Sequence, residues 1–321
     1  MRSASLFLCL LSLFVCQLKA SSSASATPSS CRDDAAIDIA RGGGSGTAIN
    51  YGIDNKTRDV ILRFLDAEDH HFHIQGWRWH FMSLVRDSRR LERLAMHLSN
   101  SNNIIEGDGE SGLAALEQAA NYVVNFNMAG LFRIHSKICE TFLRTHLCEK
   151  GSIGPFTDDG DASAETDAFR KLVDKFDEHR VQSENAGRVL YERVKSASTS
   201  SNKQQLLSDV ARSSTQLLDR LVTMHNLHET LIVPAVSRVV PSKVQKSFSN
   251  KVLLSLGLLE SRLHLVGMHD AVWESGVGAE KKLFESEIPY VARVMIERWR
   301  QSLYTPKAGG LDYGLTIKAC S

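Results

Sequence analysis

From Lys56 onward, apolar residues recur at steps of three and four through long segments, and the breaks between segments carry turn chemistry in place of strand alternation. The segments run over 56–99, 112–148, 165–197, 203–238, 242–275 and 280–303. They are parted by SNSNNIIEGDGESG, GSIGPFTDDGDAS, STSSN, the corner from Pro234 to Pro241, and ESGVG. This predicts six helices, the first four long. Short connections between long amphipathic helices favour antiparallel neighbours. The expected fold is all-α: an up-and-down four-helix bundle over 55–239, two additional C-terminal helices over 240–304 packed on it, and an irregular tail over 305–321.

The residues ahead of the first helix read differently. MRSASLFLCLLSLFVCQLKA places Arg2 before an apolar run from Leu6 to Val15 that is too short for an ordinary membrane span. Ala24 and Ala26 supply a cleavage pattern, so 1–26 is expected to be a signal peptide. The Gly/Ser-rich stretch 27–54 is expected to be a flexible lead-in. This leader implies the secretory pathway or the extracellular space, with an organelle reached by a bipartite signal as the alternative. No later segment is expected to anchor the chain in a membrane. A chain of 321 residues, 43% of them hydrophobic, can bury a sizeable core. The formal charge of +1 offers no reason to expect nucleic acid or an anionic surface as partner. With Cys9 and Cys16 in the leader, Cys31, Cys139, Cys148 and Cys320 remain. Cys139 and Cys148 are too far apart along one helix to bridge each other, which makes Cys31 with Cys320 the more feasible pair.

The candidate chemistry is histidine. All twelve lie between His70 and His269. In MHNLHETLIVPAV, His225 and Glu229 fall on the stripe Leu218, Val222, His225, Glu229, Ile232, Val236, so a ligand pair faces the other helices. His228 points about 100° away by helical pitch and is expected at the surface or behind the ligands. IHSKICETFLRTHL repeats the pattern, with His135 before Glu140 at a five-residue step. The segments around His80 and His179 also correspond, each with an Arg nine positions on (Arg89, Arg188) and a Leu eleven on (Leu91, Leu190). A duplicated helical hairpin would bring together four His and two Glu, enough for two metal ions. Mixed imidazole and carboxylate donors suit iron, with zinc or manganese as alternatives.

On these residues the sequence resembles the hemerythrin-like, or HHE cation-binding, family over about 56–239, with His225, Glu229 and Pro234 matching its most recognisable line. The resemblance implies a non-haem centre of two oxygen-bridged irons. His80 and His179 would be the single-helix ligands, and His135 with Glu140 and His225 with Glu229 the paired ones. It also implies that dioxygen or another small oxygen species, or iron itself, is what the protein binds. The chain departs from the family on the third helix, where Lys175 and Ser183 stand one turn either side of His179; Glu184 or Glu178, or His73 from the first helix, would substitute, or else one metal keeps an open position as a gas- or water-binding site requires. A second frame would use helices three to six, with His179, His225, Glu229, His264 and His269, although the last helix has no His. An oxidase or peroxidase at the same centre, or a helical interaction module without metal, are the competing functions. No GxSxG, HExxH or P-loop supports a hydrolase, zincin or nucleotide-dependent enzyme.

Overall fold

The computed structural model describes residues 52–63, 72–100, 109–149, 162–199, 202–255 and 258–317. The expected signal peptide, nearly all of the lead-in, and the Cys31 to Cys320 pair lie outside the described residues. Among those described the chain is all-helical, with no strand.

Helix α1, Asn55–Arg63, is capped by Asp54, whose carboxylate accepts from the Thr57 amide at 2.8 Å and the Thr57 hydroxyl at 2.7 Å, so one free N–H of the first turn is met. Helix α2 is Gln75–Asn100; the predicted first segment therefore holds two helices. Helix α3 covers 109–148 without a break but is not uniform. It passes from Gly109–Ala120 into a π-helical stretch, Asn121–Met128, then Ala129–Ile138, then a second π-helical stretch, Cys139–Cys148. Helix α4 is Ala162–Thr199. Helix α5 covers 203–239, with one π turn at His228–Ile232 immediately before Val233–Val239. That turn has a local cause. Pro234 has no amide to offer the carbonyl four residues back, and the Val233 N–H reaches the His228 carbonyl five residues back.

The four long helices pack in the order α2, α3, α4, α5 and back to α2. Their facing residues, among them Trp77, Phe81, Leu84, Leu143, Phe176, Leu221 and Leu231, are almost entirely sealed from water.

The C-terminal part is more extensive than two helices. It comprises α6, Ser242–Ser255; α7, Leu258–Glu274; α8, Gly278–Glu287; α9 over 290–308; and α10, Gly310–Ile317. Pro289 divides α8 from α9, and Ile288 before it is extended, as a residue preceding proline must usually be. The expected irregular tail is thus helical over most of its described length. Ala308 and Leu311 are buried, and α10 lies on α2 and α3 so closely that a Cβ on Gly310 would come within 2.2 Å of the Ala115 carbonyl oxygen. Gly310, in a tail expected to be irregular, here permits two helices to touch.

A charged network clips these helices to α2. Asp87 is fully buried; it accepts from Arg86 Nε at 2.8 Å and from Asn127 Nδ2 of α3 at 2.7 Å, while Arg86 also reaches the Tyr304 hydroxyl at 2.8 Å. Arg90 bridges Glu274 at 2.6 Å and Asp312 at 3.0 Å. Burial raises the Asp87 carboxyl above its usual range even with Arg86 and Arg90 opposing it. Arg86→Met should therefore strand a buried carboxylate and destabilise the protein by about 3–5 kcal/mol, whereas Arg86→Met with Asp87→Asn should recover most of the loss. Urea unfolding at neutral pH measures both; equal losses in the two variants would refute the pairing.

Candidate metal centre

Where the helical ring closes, α2 contributes Trp77 and Phe81, α3 contributes His135, α4 contributes Phe176 and α5 contributes His228. Both histidines are fully buried and share the same three aromatic rings. His228 stands 4.4 Å from Trp77, 4.8 Å from Phe81 and 6.1 Å from Phe176, centroid to centroid; His135 stands 5.6, 6.4 and 4.4 Å from them. His228 Nδ1 lies 3.0 Å from Glu229 Oε1. The Nε2 of His228 and the Nδ1 of His135 have no hydrogen-bond partner.

This corrects the expected orientation of α5. His228, predicted to point away, is interior; its buried stripe is Leu217, Leu221, Met224, His228, Leu231 and Ala235. His225 and Glu229 sit on the border of that stripe, half-buried, with His225 Nε2 4.0 Å from Glu229 Oε1. Burial of the Leu, Met and Ala side chains sets this rotation, and an ion pair matches it. Arg78 of α2 meets Glu229 Oε2 at 2.6 Å and also pairs with Glu280, which accepts from Trp79 Nε1 at 3.0 Å, so the carboxylate is held at the seam between helices.

On α3 the pair is also not the predicted one. Glu140 is exposed and accepts from Ser136 Oγ at 2.8 Å, because a five-residue step from His135 carries it off the buried face. The residue four positions after His135 is Cys139, whose Sγ lies 3.1 Å from His135 Nε2. Asp177 of α4 completes a set of three whose ligand atoms lie within 4.8 Å of one another; among the described residues no other His, Cys, Asp or Glu group of three does so. The other predicted ligands lie elsewhere. His80 is fully buried on a different face of α2, with Nε2 3.0 Å from Asn127 Oδ1 and its ring 4.2 Å from that of His264. His264 stacks on Phe126 at 4.6 Å and fits against α3 because residue 130 is glycine; a Cβ there would meet His264 Nε2 at 2.4 Å. His179 is half-buried on α4, Glu184 accepts from Arg180 at 2.9 Å, and His73 precedes α2 with its amide bonded to Gln245 at 2.8 Å.

Burial dominates the electrostatics. It lowers His80 and His135 well below the usual imidazole range, His225 to about 4, and His228 and His264 in the same direction. Burial alone would raise the Glu229 carboxyl, but the His228 hydrogen bond and the nearby charge of Arg78 bring it down to about 2. Burial raises the Cys139 thiol.

No family model matches the chain, and no curated protein or solved structure does either.

Sequence reasoning missed Cys139, Asp177, His228 and the His80–His264 contact. The first had a signal: HSKIC holds the same four-residue step as His225 to Glu229. Asp177 had none, because nothing along α4 marks which acid faces α3.

Neutral buried imidazoles make stability depend on pH. Their folded pKa values lie below the unfolded value of 6.5, so the contribution is complete above about pH 6.5 and is lost as pH falls toward 4, while Glu229 remains ionised throughout. His225 alone, from 6.5 to about 4, is worth up to roughly 3 kcal/mol. Denaturant unfolding between pH 7 and 4.5 should show a steep decline, made shallower by His225→Gln; a flat profile would contradict the burial.

Proposed function

We propose that this chain is a metal-binding protein of the hemerythrin-like type, in which α2, α3, α4 and α5 form an up-and-down four-helix bundle around the bound ion. The single observation that carries the reading is the pair His135 and His228. Two fully buried imidazoles from different helices face the same aromatic rings, and each has a ring nitrogen without a partner. A buried polar nitrogen left unpaired is costly, and a metal ion is the partner that neutral imidazole serves best. The closed order of helix contacts supports the bundle.

The donor set does not fit two irons bridged by two carboxylates. Glu140 is at the surface, and Glu229 is engaged by Arg78 at the seam. It fits an imidazole-rich site for iron, with zinc or manganese as alternatives. Bound ferrous iron would supply reversible capture of dioxygen or a related small oxygen species. The chain's own contribution is to orient the imidazoles and exclude water. Trp77, Phe81 and Phe176 wall the rings, and the Glu229 carboxylate at His228 Nδ1 favours a proton there, leaving Nε2 as the donor.

Protein isolated from its own source should contain metal, and a chelator should lower its Tm. If the metal is iron, oxygen should change the ultraviolet and visible spectrum. His135→Ala and His228→Ala should each reduce metal content at least about tenfold, and Glu140→Gln should leave it unchanged. Absence of metal in the wild type, with no effect of chelator on Tm, would sink this reading.

A further inference from the structure

The imidazole pair does not specify the remaining donors, and the inference that follows rests on the metal-binding reading above. The geometry points to Cys139 as a metal ligand: a single ion of the zinc or ferrous class is held by the Cys139 thiolate together with His135 and Asp177.

Four observations carry this. His135 and Cys139 are both buried and one α-turn apart, which places the thiol 3.1 Å from the ring nitrogen. Asp177 brings an oxygen from α4 into the same space, so the donors come from two helices, as an ion binding between elements requires. His135 and His228 line the same aromatic cage, so a second imidazole faces the rings that wall the first. Finally, the backbone widens into a π-helical stretch beginning at Cys139, as it does at His228 on α5, and such widening is frequent where side chains are aimed at a site. In that backbone register Cys139 occupies on α3 the place that His228 occupies on α5, each one position before a Glu.

The donor chemistry discriminates among metals. Thiolate, imidazole and one carboxylate suit zinc, ferrous iron or cobalt, and disfavour magnesium and calcium, which demand oxygen throughout. Charge is balanced. Binding breaks the S–H bond of Cys139, releases that proton to solvent and forms the sulfur–metal bond, so thiolate and Asp177 carry two negative charges against a divalent ion. Two cations stand nearby. Arg180 donates to Asp177 Oδ1 at 2.7 Å and to Glu184 Oε1 at 2.9 Å, and Arg144 is paired with Asp174 at 2.8 Å; with Asp177 on the ion, Glu184 and Asp174 compensate the two cations. Cys148, the other free cysteine among the described residues, ends the π-helical stretch nine positions on and belongs to no such group.

Cobalt(II) added to the metal-free full chain tests this, because a cobalt-bound thiolate gives an intense near-ultraviolet charge-transfer band. One equivalent should bind with that band. Cys139→Ser should abolish the band and weaken binding about 10–100-fold, Asp177→Asn should weaken binding with the band retained, and Cys148→Ser should change neither. Circular dichroism identifies any variant that has failed to fold, and Asp177, half-buried, serves as the variant least exposed to that objection. Cobalt bound without the band, or with a band that persists in Cys139→Ser, would overturn the thiolate assignment while leaving metal binding intact. No cobalt or zinc bound by the wild type would overturn both.

Discussion

An imidazole sealed from water has to be neutral, and a neutral ring still has one nitrogen that donates and one that accepts. That constraint governs the interior of this protein. His80, His135 and His228 are fully buried and His264 nearly so. Some of their nitrogens find protein partners: Asn127 for His80, Cys139 for His135, Glu229 for His228. The nitrogens left over are concentrated where helices meet. The aromatic rings around His135 and His228 add packing and exclude solvent, but they do not provide acceptors for an N–H or donors for a lone pair. A proposed metal ion between these helices would resolve the polarity that the aromatic cage creates.

The π-helical segments connect backbone geometry to this interior. In α5 the turn at His228 precedes Pro234, and it allows the helix to continue past a residue that cannot donate an amide hydrogen bond. In α3 no proline is present, yet the wider helix begins at Cys139, one position before Glu140, matching its start at His228, one position before Glu229. The sequence echo between ETFLRTHL and ETLIVPAV is therefore also an echo in backbone form. Its chemistry has diverged: one helix presents a thiol beside its histidine, the other an imidazole backed by a carboxylate.

The C-terminal helices are held to the ring by polar contacts as much as by apolar ones. Buried Asp87 pairs with Arg86 on α2, and Glu274 of α7, Tyr304 of α9 and Asp312 of α10 engage Arg86 or Arg90. Beside this network, His264 of α7 lies against His80 and Gly130. The second histidine cluster thus tracks the docking of α7, and its burial depends on helices that are distant in sequence.

Periodicity by itself determined that the chain is helical and where the long helices run. Those are local properties, set by spacing and turn chemistry within a few residues. It could not determine how far each helix is rotated about its axis. On α5 the apolar stripe is wide, and both the face centred on His228 and the one centred on His225 and Glu229 satisfy the same pattern. Packing against the other helices buries the first, and Arg78 on another helix pairs with Glu229 at the seam. The choice of Cys139 over Glu140, the approach of Asp177, and the helical form of the tail were likewise decided only by tertiary structure. Each depends on which side chain a neighbouring helix presents at a given height, and that information is carried by packing between segments and not by the spacing within one.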